Sequence, residues 1–101
     1  MATFKSGTVI VTSAGTKVAF PSANRPCVWI QVTAAEGNTG NVFFGDSTVS
    51  VSAGRTLHPG TDGVHSQTEI PFYHTGSVQL DSLYLDAANN GDKAYFEAVL
   101  E

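Results

Sequence analysis

The sequence holds a single cysteine, Cys27, so no intrachain disulfide can staple the fold. Charge is scarce: 14% of the 101 residues are Asp, Glu, Lys or Arg. Only five are basic, and Lys5, Lys17, Arg25, Arg55 and Lys93 are widely separated in the chain. The formal net charge is -4. Phosphate contacts need clustered Lys and Arg, so nucleic acid is not an expected partner. No apolar run approaches the roughly 20 residues that cross a bilayer, so no membrane partner is expected. Met1 to Ser6 carries no apolar stretch of the signal-peptide kind, and synthesis in a cytoplasm is the expectation. No helical period is sustained anywhere. A Gly-x-Ser-x-Gly elbow and a nucleophile beside a base are both missing, so neither an enzymatic role nor a cofactor is expected.

Turns and short apolar runs fill the chain instead. The densest stretch runs from Gly37 to Gly60, where Gly37-Asn38-Thr39-Gly40, Gly45-Asp46 and His58-Pro59-Gly60 punctuate Val42-Phe43-Phe44, Val49-Ser50-Val51 and Arg55-Thr56-Leu57. Gly and Asn accept the positive φ that tight reversals need, and Val and Phe suit a pleated, half-buried surface. Outside this stretch, Thr8 to Thr12 and Thr16 to Phe20 form a strand and its return across Ser13-Ala14-Gly15. Pro21 to Pro26 is a loop. Cys27 to Thr33 is the clearest strand, with Val28, Ile30 and Val32 inward and Cys27, Trp29, Gln31 and Thr33 on the other face. Ser47 to Ser52 reads as a strand or as a continuation after a bulge. His65 to Tyr73 is extended, and Pro71 marks it as an edge or a bulge. Val78 to Asp86 alternates at Leu83 and Leu85. An Asn90-Gly91 pair turns the chain into Lys93 to Leu100, with Phe96, Ala98 and Leu100 on one face and Tyr95, Glu97 and Val99 on the other.

About eight short antiparallel strands at 8–12-residue spacing predict an all-β fold, a single compact β-sandwich or jelly-roll-like domain. The expected core is Val9, Val11, Val18, Phe20, Val28, Ile30, Val32, Ile70, Phe72, Leu83, Leu85, Phe96 and Leu100. Residues 1–6 precede the first run and are expected to form an N-terminal extension to a sandwich of residues 7–101. Phe4, isolated among polar neighbours, would then be an anchor on another subunit.

Two groups of residues invite a metal reading. His58, His65 and His74 bracket Asp62, but their spacing fits no familiar ligand pattern and lacks a His-x-His pair. Asp86 to Asp92 with Glu97 has part of a calcium-loop spacing, yet Ala88 stands at a ligand position and flanking helices are missing. Strand-end histidines and a polar hairpin explain both groups, so no metal is expected. The aromatics offer more. Phe4, Trp29, Tyr73, Tyr84 and Tyr95 are the candidate partner-interface residues, because Trp and Tyr are enriched where surfaces dock. Trp29 is either such a contact or is covered by the 21–26 loop. Outward aromatics also stack on sugars, which keeps carbohydrate binding open.

The run Gly37-Asn38-Thr39-Gly40-Asn41-Val42, continuing through Phe44-Gly45 and Val49-Ser50, joins Leu57-x-Pro59-Gly60 and Leu83-Tyr84-Leu85-Asp86-Ala87 in a recognisable pattern. Together they resemble small structural proteins of tailed bacteriophages, over about residues 28–99. These motifs are mostly turn chemistry and specify fold better than role. The resemblance implies a non-enzymatic virion component: a capsid cement, or decoration, protein on the head exterior. It would bind the major capsid protein and stabilise the shell, often as a homotrimer. The alternative is a tail-associated or carbohydrate-binding β-sandwich module. No catalytic residue is carried over.

Overall fold

The structure is a computed structural model that describes residues 3–23, 25–59, 67–71 and 78–101. Its strands are β1 (Thr3–Ile10), β2 (Val18–Ala19), β3 (Cys27–Ala34), β4 (Val42–Gly45), β5 (Arg55–Leu57), β6 (Gln67–Pro71), β7 (Tyr84–Ala87) and β8 (Lys93–Leu100). The described residues contain one other element, a single 3-10 turn at Leu80–Ser82. Strands β1-β8-β3-β6 make one four-stranded sheet and β2-β7-β4-β5 make the second, with every pair antiparallel. The expected all-β sandwich is what the chain forms.

The sheets pack through the apolar positions of their strands. Ile30, Val32, Phe96, Ala98 and Val9 from the first sheet meet Val42, Phe44, Leu57, Leu85 and Ala87 from the second, all buried. Phe20 joins the two layers. Its ring centroid lies 5.3 Å from Phe96 and 5.5 Å from Phe44, each pair tilted by nearly 60°. Tilted pairs set the positive edge of one ring against the negative face of the next. Gly7 makes room for this trio, since a Cβ there would stand 3.0 Å from the Phe96 ring.

Of the expected core, Val9, Val11, Phe20, Ile30, Val32, Leu85, Phe96 and Leu100 are buried, and Val18 and Leu83 pack half-buried against it. Val28 is a correction. Cys27 pairs with Leu100 and Trp29 with Val99, so Val28 is an extra residue on β3 and the ladder shifts. Such a bulge sets two residues against one and breaks the alternation. Cys27 therefore turns inward, fully buried, while Val28 is only half-buried. Burial pushes the Cys27 thiol above its ordinary pKa, and its Sγ donates to the Trp29 carbonyl at 3.1 Å. The Ile70 side chain and Phe72 lie outside the described residues.

Three segments differ from expectation. Thr3 to Ser6 do not form an extension; they are the first half of β1, and Thr3↔Leu100 through Ile10↔Lys93 run as one ladder. Backbone pairing with the long β8 decides this, because a strand satisfies its amides whatever its side chains prefer. Ser47 to Ser52 is a turn, closed by the isolated Ser50–Ala53 bridge. From Val78 to Leu83 the chain makes a bridge to Cys27 and the 3-10 turn before β7 begins at Tyr84. Pro71 falls at the end of β6, an edge strand, where a missing N–H costs nothing.

Candidate functional site

Register determines which side chains share the outer face of the first sheet. Opposite residues on antiparallel strands lie on the same face, with Cβ atoms about 4.5–5.5 Å apart. Phe4 on β1 is opposite Val99 on β8, and Val99 is opposite Trp29 on β3. The next outward row is Ser6, Glu97 and Gln31; the third is Thr8, Tyr95 and Thr33; Ile10 and Lys93 close the face. The row Phe4–Val99–Trp29 is thus a continuous apolar band across three strands.

Exposed aromatic rings distinguish this face among the described surfaces. Phe4 is 64% exposed, Ile10 50% and Tyr95 40%, whereas Val51 is the one other exposed large apolar residue among those described. Trp29 and Val99 are half-buried. The indole is therefore neither sealed within the monomer nor bare. Across β1, β8 and β3, Glu97 and Lys93 are the charges on the face, one of each sign. A face with aromatics, little charge and polar Ser, Thr and Gln between them has the composition of a docking surface.

The structure brings Phe4, Trp29 and Tyr95 onto this one side. Tyr84 is elsewhere. It lies half-buried on β7, opposite Ala19 and Gly45, in the second sheet. Its neighbour Leu85 points into the core, so Tyr84 faces away from it, on the other flank of the sandwich. Tyr73 lies outside the described residues. Sequence reasoning passed over Ile10 and Val99 as surface candidates. Their signal was available in the alternation: Ile10 falls between the core residues Val9 and Val11, and Val99 between Ala98 and Leu100.

At the far end of this sheet, the two polar motifs of the sequence bind each other. Asp92 is buried, and it accepts the Thr39 N–H at Oδ1 and the Gly40 N–H at Oδ2, both at 2.9 Å. Asn38 pairs with the main chain of Lys93 in both directions, donating to its carbonyl at 2.7 Å and accepting its N–H at 3.0 Å. Gly40 has no room for a side chain, because Asn89 occupies the space. The loop Gly37-Asn38-Thr39-Gly40 is thereby fastened to the turn Asn89-Asn90-Gly91-Asp92. Asp86 is likewise buried and accepts the N–H groups of Gly15 at 3.0 Å and Ala87 at 2.8 Å. These carboxylates tie loops to strands, and no group of three metal-ligating side chains occurs among the described residues. His58 contacts the Asn41 side chain at 2.9 Å; His65, His74 and Asp62 lie outside the described residues.

The opposite end carries a cleft of about 350 Å³ between the start of β1 and the loop after Phe20. Phe4 and Lys5 line one side, Ser22, Ala23 and Arg25 the other, with Leu100. The cleft adjoins Phe4 and thus borders the apolar band.

No protein-family model matches the chain, and no curated protein is similar to it. Among solved structures, it is similar to the Tobacco streak virus coat protein dimer, with TM-score 0.52 and 11% identity over 99% of this chain and 84% of that one. A second structure of that coat protein gives 0.50, 10% identity, and 99% and 85% coverage. A protein of the disulfide-linked pili of Bacillus endospore appendages gives 0.45 at 13% identity, covering 97% and 84%. At these identities, the likeness to the coat proteins is one of fold.

Proposed function

We propose that the protein is a non-enzymatic structural component of a virion, a cement protein that binds the major capsid protein on the outside of a phage head. One observation carries this reading: Phe4, Val99, Trp29, Tyr95 and Ile10 are gathered on one face of one sheet, and among the described residues Val51 alone is a large exposed apolar side chain elsewhere. The fold shared with a virus coat protein supports it, as does the phage-protein resemblance of the turn motifs.

The mechanism is mechanical. Packed DNA pushes a shell outward, and subunits separate along their seams. A rigid sandwich whose apolar face spans a seam adds contact that must be broken first. If that face binds the assembled shell more tightly than loose subunits, it stabilises the shell by mass action. Burial of Trp29 and Phe4 supplies much of the contact, since each aromatic removes on the order of 150–250 Å² from water.

Gradient sedimentation with empty shells of the parent phage tests the proposal. The wild-type chain is expected to travel with the shells, and Trp29→Ala and Phe4→Ala to remain largely at the top of the gradient with native circular dichroism. A wild-type chain that stays at the top would overturn it. Binding to a glycan in place of shells would establish the carbohydrate-binding alternative.

A further inference from the structure

We infer that β1 pairs antiparallel with β1 of a second copy of this chain, about a two-fold axis through Gly7, to join two four-stranded sheets into one of eight strands. This goes beyond the virion reading and applies to the free protein.

The first ground is the edge itself. Exposed strand edges present unpaired N–H and C=O groups, and proteins blunt them by keeping them short. Among the described edges, β2 has two residues, β5 three and β6 five. β1 has eight, and β8 is its sole neighbour among the described strands. Its two largest outward side chains, Phe4 and Ile10, are also the two most exposed large apolar residues described on the first sheet.

The second ground is register. Within an antiparallel strand, residues bonded to one neighbour alternate with those whose groups face the other side. A two-fold pairing must set residues of the same alternation class opposite each other. For the two sheets to continue one another, those residues must also share a face. An axis through Gly7 meets both conditions. It sets Phe4 opposite Ile10 of the second copy and Ser6 opposite Thr8, with the same pairs repeated by symmetry. Apolar meets apolar and hydroxyl meets hydroxyl, both favourable cross-strand pairs. The sequence of β1, Thr3-Phe4-Lys5-Ser6-Gly7-Thr8-Val9-Ile10, is thus complementary to itself on its outer face. That self-complementarity names the occupant as a second copy. The apolar band then runs Trp29–Val99–Phe4 and on to Ile10 of the second copy, doubling the docking face.

Lys5 works against pairing, because it takes an inward position and inward charges are a common edge guard. It is only half-buried and lines the cleft at the open end. Its stem can lie along the edge while the ammonium stays in water there. In the paired register it is opposite Val9 of the second copy, and the cleft remains its outlet.

Sedimentation of the full chain, without shells, tests the inference. A dimer is expected at tens of micromolar (concentrations at which a modest interface is populated). Phe4→Lys with Ile10→Lys should weaken association by roughly tenfold or more. A disulfide test reads the register directly and decides the matter alone if that double variant fails to fold. Opposite Cα atoms are about 4.5–5.5 Å apart, within disulfide range, whereas diagonal neighbours are about 7–8 Å apart. Mixing Ser6→Cys chains with Thr8→Cys chains should therefore give the mixed disulfide well ahead of either symmetric one. Cys27 is buried and does not compete. A chain monomeric at high micromolar concentration, a trimer indifferent to the lysine pair, or symmetric disulfides forming as fast as the mixed one would each overturn the inference. The shell experiment is separate: binding to shells by a monomer would sink the pairing and leave the virion reading standing.

Discussion

Replacing Asp92 with Ala removes the two acceptors that take the Thr39 and Gly40 amides, while Asn38 still ties the Gly37–Gly40 loop to the main chain of Lys93. The carboxylate is 4% exposed, and its two oxygens each take one amide at 2.9 Å. Hydrogen bonds to a charged group contribute about 1.5–3 kcal/mol each, and a buried donor left unpaired costs about 1–3 kcal/mol. Thr39 is exposed and Gly40 half-buried, so water can reach the freed amides and the lower part of that range applies. The expected loss is about 2–4 kcal/mol for the pair, a large share of the roughly 5–15 kcal/mol that holds a domain together. It corresponds to a fall of about 10–25 °C in Tm for a chain of this size. Asp92→Asn keeps one acceptor and turns an NH2 toward the other amide, so it should recover no more than about half the loss. Urea unfolding followed by Trp29 fluorescence gives the free energy, and hydrogen exchange at Thr39 and Gly40 gives the cause. Protection of both amides should vanish in the Ala variant while the β3 and β8 amides remain slow. A loss below about 0.5 kcal/mol with Thr39 and Gly40 still protected would refute the reasoning.

Three further outcomes follow from the same structure. Ile30→Ala empties a fully buried site between the sheets and should cost about 2–5 kcal/mol by denaturant unfolding; a cost under about 0.5 kcal/mol would remove Ile30 from the core. Gly54 has φ 120°, and a Cβ there would meet Val49 Cγ2 at 2.5 Å and the Phe44 carbonyl oxygen at 3.0 Å, so Gly54→Ala should destabilise by roughly 2–4 kcal/mol. Gly15→Ala, with open space around it, should cost less than half as much, and equal Tm shifts for the two would contradict the argument. Asp46 is held below the usual carboxylate range, first by the Thr48 hydroxyl and then by the Thr48 N–H at 2.9 Å. Its folded-state pKa is depressed, so its small stabilisation is present above the ordinary carboxylate pKa and disappears as pH falls through the lowered value. Carboxyl NMR titration should place Asp46 below its ordinary range and Thr48→Ala should return it there; an unshifted Asp46 in the wild type would disprove the contact.

Much of the architecture was legible because period-2 alternation survives in long strands. Tyr95 to Leu100 is read correctly residue by residue, since β8 is central and its two faces see different environments. The reading failed where backbone geometry outweighs pattern. The bulge at Val28 reverses the expected place of Cys27, and nothing in Cys27-Val28-Trp29 announces it. The mostly polar Thr3-Phe4-Lys5-Ser6 joins β1 because β8 is long enough to pair with it, a long-range fact invisible locally. The candidate surface was half legible. Trp29 and Tyr95 follow from alternation within their own strands, but their alignment with Phe4 depends on register between strands distant in sequence. The Asn38–Lys93 and Asp92–Gly40 contacts join residues more than 50 positions apart, so two motifs that each read as ordinary turns prove to be one fastening.

An electron cryomicroscopy map of phage heads incubated with this chain is the most direct test of the proposed role. The expected result is a β-sandwich in many copies on the head exterior, its Phe4–Val99–Trp29 face turned onto the capsid subunits and buried there. A few copies confined to the tail, or head copies with that face open to solvent, would contradict it.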